Sequence, residues 1–465
     1  MSVTTSAETT VSAVEKSTIR KVAWRLVPFV ALMFFINYLD RSAIGFAAPN
    51  GMNDDLALSV TQVGFASGVF FIGYILLEVP SNLALARFGA RRWLARIMVS
   101  WGIVAVLFTW VGNFEQLAVL RFLLGVAEAG FFPGAILFLS LWVPARHRGK
   151  ILALFYLAQP LTTVVGAPLA GLLIGAHGLF GLEGWRVMFL GVGIPAIVIG
   201  VVAWFYLKDK PTDAKWLTPE EQQWLTTELE NEKVKTESLN LTSSGGKKRG
   251  GFKQAFSSGR VWTLAFIYFG FIYGLYTLAF FLPTIISGFQ ELYGVKYDVF
   301  QKGLITAIPY IPAAIALWFW TKDVSRRGLK TWHIAGPAVV AALTIPFALL
   351  AGSPVATIAI IAITAMAIFA VLPNFWTLPT QFLTGVAAAA GVALINTVGN
   401  IAGFGAPYIT GAVADWTKNA DGTPQYIVPM AIVGFFMLLS AVLMVLLARR
   451  GRVSGLDAPD TVVLH

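Results

Sequence analysis

The chain contains no cysteine, which excludes disulfides and thiolate metal sites. Its four histidines, His147, His177, His333 and His465, are scattered and form no ligand-spaced cluster. Charged residues make up only 12% of the 465 positions, about half the usual share in a soluble domain. No Gly-rich phosphate cradle occurs, so ATP-driven chemistry has no support. No nucleophile–base set is visible either, so neither an enzyme nor any cofactor is expected. The first residues are polar and lack an apolar run ending in a small-residue cleavage site, so no cleaved signal peptide is expected.

What is abundant is apolar sequence: 57% of the residues are hydrophobic and the mean hydropathy is +0.72. Continuous apolar runs fall at 22–48, 60–84, 92–112, 115–142, 150–175 and 185–207, and again at 260–288, 300–321, 331–352, 355–378, 388–413 and 424–448. Each reaches the roughly 20 residues that a helix needs to cross a bilayer. None alternates as a barrel strand does. The expectation is an all-α membrane protein of twelve transmembrane helices in two six-helix pseudo-symmetric bundles. The divisions are an N-terminal tail (1–21), a first bundle (22–207), a linker (208–259), a second bundle (260–448) and a C-terminal tail (449–465).

With both termini and the linker on one side, 28 of the 34 Lys and Arg lie on that side. Only Arg186, Lys296, Lys302 and Lys418 lie opposite, while Arg41 and Arg121 fall inside spans. The positive-inside rule then places termini and linker in the cytoplasm. It also accounts for the net charge of +10 without nucleic acid. The halves carry weak repeats: Gly166-Ala-Pro168 matches Gly405-Ala-Pro407, and Arg87-Phe-Gly89 matches Arg326-Arg327-Gly328. Parallel six-plus-six repeats put a binding site at midplane between the halves. In the linker, Thr218-Pro219-Glu220-Glu221 reads as a helix start with Thr218 as N-cap, and 239–251 reads as disordered.

Four charges lie well inside spans: Asp40, Arg41, Arg121 and Glu128. Each costs several kcal/mol at membrane depth, so their retention marks use. Arg121 and Glu128 are seven apart and share a helix face, with Gly125 between them where a neighbour can approach. They suit an anion or gating partner and a protonatable acid, or else a structural ion pair. Asp40 and Arg41 point about 100° apart. Arg41 suits a carboxylate clamp, while Asp40 suits a proton site or a counter-ion. Glu78, near the end of its span, reads as a snorkelling group or a contact to the adjacent basic loop. Tyr38, Tyr74, Gln159, Tyr276, Trp376, Asn396 and Asn400 are polar or amphipathic groups inside spans, serving a ligand or a neighbouring helix. The loops Arg87–Arg92 and Arg146–Lys150 read as topology signals and gate contacts.

The chain resembles the major facilitator superfamily and, within it, the anion:cation symporter family. The resemblance rests on Tyr38-Leu-Asp40-Arg41-Ser-Ala-Ile-Gly45, Val79-Pro80-Ser81-Asn82, Gly89-Ala-Arg91-Arg92-Trp93, the run from Arg121 through Glu128 to Gly134, and Ile395-Asn396-Thr-Val-Gly399-Asn400. It implies import of an organic anion with protons. By position it puts substrate contacts on Arg41, Arg121, Tyr38, Tyr74, Gln159, Trp376 and Asn396, and proton carriage on Asp40 and Glu128. Tyr276 joins the substrate contacts from its place in a span. The chain departs from the superfamily pattern at Asn82 and Ala86, where Gly and Asp are usual, so the usual Asp gate contact is in doubt. The segment Leu372–Thr377 is poor in hydroxyls, favouring an aromatic or less hydroxylated acid.

The function expected is therefore a monomeric, inner-membrane, proton-coupled symporter of a small organic carboxylate. An antiporter or uniporter of the same fold is the alternative, and a non-transporting sensor a more remote one.

Overall fold

The computed structural model describes residues 2–243, 256–380, 385–419 and 421–449. Among the described residues, twelve helices are long and apolar enough to cross a membrane. These are α1 (Ala13–Asp55), α2 (Val60–Phe88), α3 (Ala90–Trp110), α4 (Phe114–Ser140), α5 (Ala145–Gly175) and α6 (Gly184–Tyr206), then α7 (Gly259–Ser287), α8 (Val299–Arg327), α9 (Trp332–Leu350), α10 (Pro354–Pro379), α11 (Ala390–Trp416) and α12 (Ile427–Arg449). Helix is the form that satisfies every backbone group within its own segment, as lipid requires. With twelve crossings, both termini and the linker share one side, here termed the linker side.

The polar N-terminal stretch is helical and runs from Ser2 straight into α1. Its polar part docks on a linker helix, Pro219–Ser243. Lys21 Nζ lies 2.8 Å and Ser17 Oγ 2.7 Å from the Glu221 carboxylate. Thr218 is the N-cap expected, and Glu221 completes a reciprocal capping box: the Thr218 N–H donates to Glu221 at 2.9 Å and the Glu221 N–H to the Thr218 hydroxyl at 3.3 Å. Burial alone would raise the Glu221 carboxyl. Its bonds from Lys21, Thr218 and Ser17 outweigh that and hold it below the usual range. Of the stretch read as disordered, 239–243 continues the linker helix, and 244–251 lies outside the described residues. The basic loops also grip the linker and the first helix. Arg146 pairs with Glu15 and Glu228, Arg148 with Glu232, and Arg91 with Asp209.

A further correction concerns α4, read as one continuous helix. It breaks immediately after Glu128, at Ala129 and Gly130, and resumes at Phe131. Gly130 takes φ +84°, a left-handed conformation that glycine adopts without strain.

The repeated Gly-Ala-Pro motifs have a common structural use. A Cβ on Gly64 of α2 would come within 3.1 Å of the Pro407 carbonyl carbon on α11, and closer still to its oxygen. A Cβ on Gly303 of α8 would come within 2.5 Å of the Ala167 carbonyl oxygen and 3.1 Å of Pro168 Cα on α5. In each half a Gly-Ala-Pro run thus receives a glycine from the other half, backbone against backbone. Gly45 of α1 meets Phe280 of α7 in the same way, its Cβ position 2.8 Å from the Phe280 oxygen. The α2–α11 contact is fastened by Asp415, which accepts from the Thr61 N–H at 2.7 Å and from its hydroxyl at 2.6 Å. All these contacts lie toward the ends of their spans remote from the linker. The two bundles are therefore closed against each other on the side away from the linker.

Gly64→Leu should wedge that closure apart and shift the molecule toward the state that is shut on the linker side. Because the natural chain is cysteine-free, a cysteine introduced at Ile136 reports this directly. Its alkylation should slow severalfold in the Gly64→Leu background, and unchanged labelling would show that the glycine contact does not set the conformation.

Candidate functional site

The closure leaves a cavity of about 540 Å³ between the two bundles. It runs from Arg41 at mid-span to Asn82 and Ser140 near the linker-side ends of α2 and α4. Seven of the eight residues expected to contact a substrate line it. Tyr38, Arg41, Tyr74 and Gln159 come from the first bundle, and Tyr276, Trp376 and Asn396 from the second. Asn400 lines it as well.

Arg121, the eighth, does not. It is fully buried between α1, α2 and α4. Its Nε donates to the Ala66 carbonyl at 3.2 Å, and Nη2 lies 3.4 Å from the carbonyls of Ser67 and Arg41. Gly125 explains this. A Cβ there would collide with the Phe70 carbonyl, so its absence lets the α2 backbone close in to receive the Arg121 side chain. In this conformation Arg121 is a brace between helices rather than a substrate contact.

Arg41 emerges at the inner end of the cavity. Its Nη2 pairs with Glu128 Oε2 at 3.0 Å, and Nη1 donates to the Tyr276 hydroxyl of the opposite bundle at 3.2 Å. Three aromatic rings flank the guanidinium, with centroids at 4.8 Å (Phe70), 5.1 Å (Tyr74) and 5.9 Å (Phe71). Such rings favour a cation without neutralising it, so the charge stays available to an anion. Glu128 is wholly buried behind Arg41. Its Oε2 also accepts from Asn37 Nδ2 at 2.8 Å, while Oε1 is buried with no hydrogen-bond partner. Asn37 and Arg41 are four residues apart on α1 and so share a face. Asp40 is rotated away from the cavity and buried, and neither of its oxygens has a hydrogen-bond partner. Among the described residues it forms no ion pair, so the counter-ion role expected for it is not met by contact in this conformation.

Sequence reasoning missed three features. Asn37 was passed over, though an amide one turn before Arg41 was a visible signal. The aromatic flank of Arg41 comes from Phe70 and Phe71, which look like ordinary core residues in sequence. Glu78 was misplaced: among the described residues it forms no bond to the adjacent basic loop. It lines the cavity and accepts from Asn396 Nδ2 at 2.7 Å and Asn400 Nδ2 at 3.4 Å, across the gap between the bundles. Among the described residues no cluster of His, Asp and Glu could hold a metal ion.

A bundle of twelve spans around a central cavity, sealed on one side, is the architecture of a membrane carrier. Residues 30–407 match the Major Facilitator Superfamily, and the chain belongs to that family. It is 44% identical to a putative tartrate transporter of Agrobacterium vitis over 94% of this chain and 92% of that protein. It is 42% identical to a second putative tartrate transporter of the same organism, over 92% of this chain and 95% of that one. The fold is similar to a solved bacterial homologue of the human lysosomal transporter Spinster, with TM-score 0.69 and 18% identity over 91% of this chain and 96% of that chain. The protein is thus a multi-pass membrane transporter of a small molecule, not an enzyme.

Removing Arg41 would strand Glu128 in the interior. Arg41→Ala should cost about 3–5 kcal/mol, as for other broken buried pairs, seen as a lowered melting temperature of purified protein. Adding Glu128→Gln should restore most of the loss. If Arg41→Ala melts like the wild type, the pair does not hold α1 to α4.

Proposed function

We propose that the protein imports a small organic carboxylate together with protons by alternating access, with termini and linker in the cytoplasm of a bacterial-type inner membrane. The charge asymmetry of the loops supports that orientation. The observation that carries the reading is the Arg41–Glu128 pair at the inner end of the cavity. One guanidinium faces both a buried acid and the space a ligand would fill. A carboxylate substrate and Glu128 therefore compete for the same donors.

Coupling follows from that competition. When Glu128 Oε2 takes up a proton it loses its charge and its hold on Arg41, whose fork then clamps the substrate carboxylate. When substrate leaves, Glu128 gives up the proton and pairs with Arg41 again. The arrangement seen here, open toward the linker and with the pair formed, corresponds to the state after release into the cytoplasm. Asp40, buried with no hydrogen-bond donor and no ion-paired cation, is suited to carry a second proton, with Arg121 as a brace nearby. Two protons with a monoanion make uptake electrogenic.

The names of the relatives support a carboxylate cargo. The aromatic walls, with Phe34, Phe132, Tyr156, Tyr268 and Trp376, support an acid with an apolar or aromatic body over a heavily hydroxylated one.

In Glu128→Gln the competition is gone. Counterflow of labelled substrate between the two sides of proteoliposomes should persist, while accumulation driven by a proton gradient should fall to background. Accumulation surviving in this variant would exclude Glu128 as the coupling acid. Failure of substrate to alkalinise the outside medium of wild-type vesicles would favour uniport.

A further inference from the structure

Arg41 is not the only ionisable group on the cavity wall. Tyr74 lies against the Arg41 guanidinium, and Glu78 follows Tyr74 by four residues on α2. The same helix face therefore carries Glu78 about 6 Å further toward the linker side. Its carboxylate bridges to α11, where Asn396 and Asn400, themselves four apart, donate to it at 2.7 and 3.4 Å. Among the described residues no cation lies within ion-pair distance of Glu78, whereas Arg41 is already matched by Glu128. An ionised carboxylate accepts at about four lone-pair sites, and the two amides use two of them.

These positions make the cavity bipolar. A ligand whose carboxylate takes Arg41 extends its far end past Tyr74 toward Glu78. A second carboxylate there meets a like charge in a partly desolvated cleft, where repulsion is strong. A hydroxyl or ammonium there meets open acceptor sites instead. We propose that Glu78 is a specificity-determining residue that selects carboxylates of single negative charge ending in a hydrogen-bond donor and rejects dicarboxylates of the same length. This rests on the carboxylate-transport reading above, extends it to the far end of the ligand, and sets this chain apart from the relatives named for tartrate, itself a four-carbon dicarboxylate.

The test compares 4-hydroxybutyrate with succinate, which share a four-carbon chain and differ in the terminal group. Binding of each to the purified full-length protein is measured at about pH 7.5, above the carboxylate range, so that succinate carries two charges. Wild type should bind 4-hydroxybutyrate at least about tenfold more tightly than succinate. Glu78→Gln, nearly isosteric and able to keep the shorter bond from Asn396 on its amide oxygen, should bring the two within about twofold, chiefly by tightening succinate. Glu78→Asp keeps the charge and should keep the preference, which a merely structural role for Glu78 would not require. A ratio unchanged in Glu78→Gln, or a wild type that prefers succinate, overturns the selectivity role while leaving carboxylate transport intact. Binding of neither acid by any of the three proteins overturns the carboxylate reading, and this proposal with it.

Discussion

The ion pair between Arg41 and Glu128 is the constraint around which the rest of this molecule is arranged. Both groups sit at membrane depth, where an unpaired charge is costly. Glu128 is entirely buried and Arg41 is exposed only on its cavity side. A pair of this kind contributes little net stability, because desolvation consumes most of the attraction. In the function proposed, what it provides is a choice of partner: the guanidinium serves the acid behind it or an anion in front of it. Asn37 holds the acid, while the flanking Phe70, Phe71 and Tyr74 rings and the Tyr276 hydroxyl from the opposite bundle hold the guanidinium.

The scaffold keeps this pair dry on one side and reachable on the other. On the side away from the linker, glycines remove the side chains that would hold the bundles apart, and backbone meets backbone at the two Gly-Ala-Pro runs. Such contacts gain from close packing without committing long side chains, so they suit faces that part as rigid units. Asp415 on Thr61 adds a short polar fastening that water can replace once the faces separate. Toward the linker, the Glu78–Asn396 bond still spans the gap.

Much of the fold was legible because lipid imposes a simple grammar. A run of apolar residues long enough to span has to be a helix, and loop charge counts the crossings. All twelve runs read from sequence became spans. Less visible was anything decided by what a neighbouring helix brings. The seven-residue spacing of Arg121 and Glu128 was plain, but not that Gly125 admits the α2 backbone and turns Arg121 into a brace. The helix break after Glu128 was hidden because Ala129 and Gly130 are also tolerated within helices. Glu78 was misread for a reason of length. α2 continues to Phe88, ten residues and about 15 Å beyond it, which places Glu78 in the cavity rather than at the rim.

The central claim, that substrate and Glu128 compete for Arg41 and that a proton settles the contest, is tested most directly by infrared difference spectroscopy. Carboxylate substrate would be added to the reconstituted wild type and to Glu128→Gln, with each spectrum referred to its substrate-free state. The account predicts that binding raises the carbonyl band of a protonated carboxylic acid in the wild type and that this band is missing in Glu128→Gln. A spectrum in which Glu128 stays ionised with substrate bound would contradict it.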